Sequence, residues 1–205
     1  MAMTKLEYTA LILLLSAANS FGQGDPFANV KTAMSRAACC RYEFLSIVES
    51  TIFETVDTTR GTAVIAADGR YHVSIGPDEY LKTSDRLYSY SQTENQLTIE
   101  SAPPGMVPQE SVSFITRLDD YYTTKMRVPK SKYFLRRTDT AAVDLPDSLT
   151  VLMAEKQARI ERLVFFDVND DRNQIVFKKC EYLDKCDETA LVPHFPDSAE
   201  VIHIR

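Results

Sequence analysis

Apolar and polar residues alternate along most of this chain, and two stretches break that rhythm. From Arg41 to Glu49 the period is two, which puts Tyr42, Phe44, Ser46 and Val48 on one side of an extended segment. The same period returns at Val64-Ile65, Tyr71-Val73-Ile75, Tyr88-Tyr90 and Leu97-Ile99. Turn residues separate these runs at Asp68-Gly69, Gly76-Pro77-Asp78 and Thr93-Glu94-Asn95. Further strands are predicted over 121–126, 133–137, 149–154, 159–168 and 173–182, with a last apolar strand over Val201–Ile204. Short strands at near-regular spacing predict an antiparallel meander.

The two exceptions have helical period. Asp25-Pro26 pairs a capping carboxylate with Pro at a first helical position, and Phe27, Val30, Met34 and Ala37 then recur as one apolar stripe to about Ala38. After the break Pro103-Pro104-Gly105, the residues Val107, Ser111, Phe114, Ile115 and Leu118 predict a second short amphipathic helix over 108–119. A large sheet must bend or close, because twist accumulates and free edges are hazardous. Two short helices cannot fill a barrel of roughly ten strands, although they can lie across its mouth. The pattern therefore predicts an apolar cavity under a helical lid. A fully packed sandwich or barrel is the alternative on pattern alone.

The first twenty residues change the setting. Lys5, the apolar run over 10–15 and the small residues Ala17-Ala18-Asn19-Ser20 describe a secretory signal peptide, with cleavage expected near Ser20 and a mature domain over 21–205. The apolar run is too short to span a bilayer, which takes about 20 residues; a buried first helix is the other reading. The expected compartment is the periplasm. Net charge is −6 with no basic cluster, which argues against nucleic acid as a partner. A monomer is expected.

Four cysteines in an exported chain read as disulfides, and they fall as adjacent Cys39-Cys40 and as Cys180 with Cys186. A bond between neighbours is geometrically strained, so at least one of Cys39 and Cys40 should pair elsewhere; connectivity stays open. A zinc set of Cys180, Cys186, His194 and His203 has spacings that match no compact knuckle. Asp167-x-Asn169-x-Asp171 opens like a calcium loop, but Arg172 and Lys178 occupy the positions that need Gly and Glu, so a polar hairpin turn is expected. His72 is expected on the outer, solvated face. Nucleophile elbows, Walker loops, dinucleotide glycines and His-Glu metal helices do not occur, so neither an enzyme nor a cofactor is expected.

The order of elements and several short motifs resemble the LolA family of periplasmic lipoprotein carriers. The resemblance rests on Gly69-Arg70-Tyr71, Leu87-Tyr88-Ser89-Tyr90, "YFLRR" over 133–137 and "IERLVFFDVNDDRNQIVFKK" over 160–179. The stretch from Pro196 to Val201 fits the family's terminal signature, with Ser198 in the Gly place. What this implies is a mainly β fold, a half-open antiparallel β-barrel covered by short amphipathic helices around an apolar cavity. It also implies non-catalytic binding of the acyl chains of lipoproteins or other lipids. An inner-membrane lipoprotein-releasing transporter and an outer-membrane acceptor would be the partners. Met34, Tyr71, Val73, Tyr88, Tyr90, Leu163 and Phe177 would line the cavity, with Phe114, Ile115 and Leu118 on the lid. The family's Arg-Pro pair, which serves lid contact and cargo handover, is Ala67-Asp68 here, and the nearest arginine is Arg70. A LolA-fold lipid-binding, sensor or interaction module without a transfer role is the second reading.

Overall fold

Strand β1 (Cys39–Ser50) is the axis of the molecule. In the computed structural model, which describes residues 27–102, 118–128, 131–138, 145–154 and 158–204, it pairs antiparallel with β2 (Thr55–Ala66) on one side. On the other side it pairs antiparallel with β11 (Arg172–Leu183). From β2 the chain meanders through β3 (Tyr71–Ile75), β4 (Asp78–Lys82), β5 (Arg86–Ser91) and β6 (Gln96–Ser101). From β11 the ladder runs back through β10 (Arg159–Phe166), β9 (Ser148–Ala154), β8 (Lys132–Arg137) and β7 (Tyr122–Val128). Among the described residues one 12-stranded open sheet results, with β12 (Glu200–Ile204) at one edge and β7 at the other.

Two points correct the expected meander. Asp78–Lys82 is a strand, where only a turn was predicted at Gly76-Pro77-Asp78. The last strand joins β6 in parallel, because the chain crosses the outside of the sheet before returning to it. Register shifts between Glu43 and Phe44, between Ile160 and Arg162 and between Thr124 and Met126 mark β-bulges, which bend a strand and raise its twist.

Helix α1 (Ala28–Arg36) lies on one face of this sheet, called the inner face below. The predicted stripe holds: Phe27, Val30 and Ala37 are buried and Met34 is half-buried against the same core. Phe27 packs its ring 5.6 Å from that of Tyr133 on β8. Inner residues of both arms join the buried residues of α1 and its ends in one core, among them Phe44, Tyr71, Val73, Val151, Leu163 and Phe177. Gly61 makes room for one of them, since a Cβ there would overlap the Phe44 ring. The predicted helix over 108–119 lies outside the described residues apart from its end. Leu118 begins the short helix α2 (Leu118–Tyr121) and is buried in the inner core.

The segment after β11 wraps the outer face. A 3-10 turn (Glu188–Leu191) buries Leu191, and Phe195 stacks on Tyr88 at 5.9 Å and packs at a tilt against Tyr90 at 5.7 Å. Asp187 caps the turn by accepting hydrogen bonds from the Thr189 N–H and hydroxyl, at 3.1 and 2.6 Å. Asn95 and Ser198 then steer the chain into β12, with the Asn95 amide donating to the Ser198 carbonyl at 2.8 Å.

Candidate functional site

A pocket of about 390 Å3 opens beneath the last turns of α1. Its floor comes from the first residues of β1 and the last of β2: Cys40 and Ile65 are register partners, and Ala66, Ala67 and Gly69 follow into the β2–β3 turn. Met34 and Ala37 form its roof, and the exposed Lys31 and Ser35 give it one polar side. The local sequence explains the space. Small side chains at 66, 67 and 69 leave volume between helix and sheet, and Gly69 takes a left-handed backbone at φ +86° that favours glycine. The volume falls within the usual range for small-ligand sites, about 300 to 1,000 Å3.

Two thiols and two phenols sit next to the pocket. On the inner face Cys40 is opposite Tyr182, and Tyr42 is opposite Cys180, so the thiols stand on a diagonal of the β1–β11 ladder. Diagonal neighbours are about 7 to 8 Å apart, beyond the span of a disulfide. Both thiols are accordingly free, and Cys39 pairs with Cys186 across a Cα distance of 5.0 Å. One disulfide forms, and it is the long-range one. Burial pushes the Cys40 thiol up to about 11 and raises the Cys180 thiol, Tyr42 and Tyr182 as well. All four groups are neutral at neutral pH. The thiols are poor nucleophiles, and the pocket floor behaves as an apolar surface.

Of the residues expected to line a cavity, Met34 lines this pocket. Tyr71, Val73, Leu163, Phe177 and Leu118 are on the inner face but buried in its packed core. Phe114 and Ile115 lie outside the described residues. Tyr88 and Tyr90 are on the opposite face, and this corrects their placement. Across β3, β4 and β5 the register aligns His72, Leu81 and Tyr88, while Tyr71 aligns with Lys82 and Leu87. Passing through β4 therefore sets the tyrosines of β5 on the outer side, under Phe195. His72 shares that face but is half-buried there. Its Nδ1 is 3.0 Å from the Ala190 carbonyl oxygen and its Nε2 is 3.3 Å from Glu79. Sequence reasoning missed Lys31, Ile65 and the small residues of the β2–β3 turn, whose only signal was a cluster of short side chains before Gly69.

Two features singled out in the sequence find plain structural roles. Arg70 donates to Asp68 at 2.7 Å and to Glu188 at 2.8 Å, clamping the β2–β3 turn to the outer segment. Asp167 accepts from the N–H groups of Asn169 and Asp171 and from the Asn173 amide, which makes the polar hairpin turn that was expected. Among the described residues no group of three or more His, Cys, Asp or Glu side chains is placed to hold a metal.

The open sheet around a helix has counterparts among solved structures. An uncharacterized conserved protein from Thermus thermophilus superposes with a TM-score of 0.50 at 14% identity, over 87% of this chain and 97% of that one. A DUF1329 family protein from Desulfovibrio piger gives 0.50 at 11%, over 82% and 95%. A LolA superfamily protein from Nitrosomonas europaea gives 0.48 at 9%, over 82% and 96%. The fold is shared with the Thermus and Desulfovibrio proteins. At these identities the likeness is one of fold alone. No protein-family model matches the chain, and no curated protein matches it.

Proposed function

We propose that this chain is an exported, non-catalytic binding protein that holds an acyl chain of a lipoprotein or another lipid in the pocket beneath α1. In this role it carries its cargo through the periplasm toward the outer membrane. The observation that carries the reading is the pocket itself. Met34, Cys40, Ile65 and the small residues of the β2–β3 turn give it an apolar floor and roof, and Lys31 stands where an anionic head group would emerge. The Cys39–Cys186 disulfide supports an oxidising compartment, in keeping with a signal peptide over 1–20. Arg70 is held by Asp68 and Glu188 on the outer side, so release of cargo would proceed without an arginine facing α1. An inner-membrane donor and an outer-membrane acceptor would complete the route.

Binding of a fluorescent fatty acid tests the reading. Met34 is half-buried against the core and Ala67 exposed, so Met34→Glu should lower thermal melting modestly and Ala67→Phe should leave it close to that of the parent. The first puts a charge in the pocket and the second fills it. Each should weaken binding by roughly tenfold or more, the equivalent of about 1.4 kcal/mol. Absence of binding by the parent, or binding untouched by both substitutions, overturns the proposal.

A further inference from the structure

The outermost residues of two neighbouring hairpins are apolar. β1 and β2 are joined by Thr51-Ile52-Phe53-Glu54, where Ile52 and Phe53 are 70% and 75% exposed. β10 and β11 are joined across residues 167–171, where Val168 is 91% exposed and the preceding Phe166 55%. Glu49 at the end of β1 faces both Val56 and Arg172, so the two tips project side by side from one end of the sheet. Hairpin turns are ordinarily built from Gly, Asn, Asp and Ser. Each of these two also carries an apolar residue at its apex, beside an acidic residue (Glu54 at φ +51°, Asp170 at φ +61°) in the left-handed position, and in the β10–β11 turn Val168 is the one apolar residue of an otherwise polar turn. Being more than half exposed, the apolar side chains gain little from packing within the fold.

We propose that the two tips dock on the interfacial zone of a lipid bilayer made of zwitterionic or uncharged lipids. The area decides against a protein partner: a stable protein interface buries about 800 Å2 on each side. Ile52, Phe53, Val56, Phe166 and Val168 on two separate tips offer on the order of a few hundred Å2. A bilayer needs no complementary shape, and aromatic and aliphatic side chains enter its head-group boundary from a protruding loop or helix face. Charge selects the lipid. Glu54, Asp57, Asp167, Asp170 and Asp171 surround the tips, while Arg172 is paired to Glu49 at 2.7 Å, so anionic head groups are repelled. The pocket lies at the Cys40 end of β1 and the tips follow Ser50, about 30 Å away at the rise of an extended strand. Docking therefore leaves the pocket clear of the bilayer, and the inference does not depend on acyl binding.

The chain contains no Trp, so a single introduced Trp reports one position. Phe53→Trp and Val168→Trp place it on the tips, and Val192→Trp at an exposed control position on the outer segment. With the full chain and phosphatidylcholine vesicles, the two tip reporters should shift to the blue and be quenched by brominated lipid, while the control stays unmoved. Adding Val168→Asp to Phe53→Trp should weaken vesicle binding roughly 10- to 100-fold, the loss expected for one large apolar side chain. Replacing half the lipid with phosphatidylglycerol should weaken it at low salt. The proposal is overturned by silent tip reporters, by an equal response at Val192→Trp, or by an unchanged affinity after Val168→Asp. Tighter binding to the anionic vesicles overturns the choice of lipid.

Discussion

On one arm of the sheet, β1 to β3 with β8 to β11, large apolar side chains point inward, where Phe44, Tyr71, Val73, Leu163 and Phe177 share a core with Phe27, Val30 and Ala37. On the other arm, β4 to β6, Tyr80 and Leu87 still reach the inner core, but the other inner positions include Ser89, Ser91, Thr98 and Glu100, and the apolar set Leu81, Tyr88, Tyr90 and Leu97 faces outward. Each arm still covers its apolar side, but the covers differ in kind. The inner cover is a helix with three buried anchors; the outer one is an irregular segment that relies on Leu191, Phe195 and a few side-chain clamps. A sheet that changes its apolar side part-way needs a cover on both faces, and a short helix can serve only one. The outer segment is thus a structural requirement of the pattern in β4 to β6. The weaker packing of an irregular cover also makes it the part that should open first.

Cys39 on β1 and Cys186 at the start of the outer segment tie the two covers together, so breaking that bond should have the largest effect. The bond spans 147 residues, and loop-closure entropy assigns such a link about 5 kcal/mol. Peptide mapping should find Cys39 joined to Cys186 with Cys40 and Cys180 free, and Cys186→Ala should lower the urea midpoint by a corresponding amount. A stability loss well under 1 kcal/mol would mean that the outer segment is held without the bond.

Single side chains separate the arms more finely. Leu163→Ala removes a buried residue from the inner core and should destabilise by about 3 kcal/mol. Gly61→Ala pushes a Cβ into the Phe44 ring and should cost about 1 to 3 kcal/mol, less if the ring can turn away. Phe195→Ala removes two ring contacts from a half-buried position and should cost only about 1 kcal/mol. Denaturant melts of the three variants test this order. A Phe195→Ala penalty as large as that of Leu163→Ala would show that the outer cover is no weaker than the inner one.

Much of this fold was legible in the sequence, and the errors share one cause. Period two identified most strands, and the stripe Phe27, Val30, Met34, Ala37 described α1 because one helix face meets one sheet face. What a period cannot supply is which face an isolated run will use. Asp78-Glu79-Tyr80-Leu81-Lys82 has one strongly apolar position, so β4 passed as part of a turn, and the side taken by Tyr88 and Tyr90 was lost with it. The outer cover was invisible for a related reason: residues 187–199 have no period, and only contact with Tyr88 and Tyr90 gives Phe195 its place. The pocket was half legible. Met34 belonged to the stripe, whereas the space beneath it comes from small residues at 66, 67 and 69, whose effect depends on what the helix leaves unfilled.

The smallest predicted effect distinguishes the two covers by pH. Burial tends to lift the Asp68 carboxyl, but the Arg70 backbone N–H and guanidinium outweigh it and hold the group below its ordinary 3.8. The Thr189 hydroxyl and N–H hold Asp187 low as well. Both carboxylates clamp the outer segment. A depressed folded value means that their contribution is complete above pH 3.8 and is lost as the pH falls through the folded value. On the inner side the sign reverses. Burial raises the Cys40 thiol from 9.0 to about 11, so its contribution is complete below pH 9 and is lost as the pH rises toward 11. Acid should therefore loosen the outer cover first, and alkali the inner one. A Phe195→Trp variant, the sole Trp in the chain, places a fluorophore between Tyr88 and Tyr90. Its emission should move to the red as the pH falls below 3.8 while the far-ultraviolet dichroism of the sheet is unchanged. Because both carboxylates are largely exposed, the shift should shrink in high salt. An emission that stays constant throughout the acid titration, or that moves only together with the dichroism, would place the acid-sensitive contacts elsewhere in the sheet.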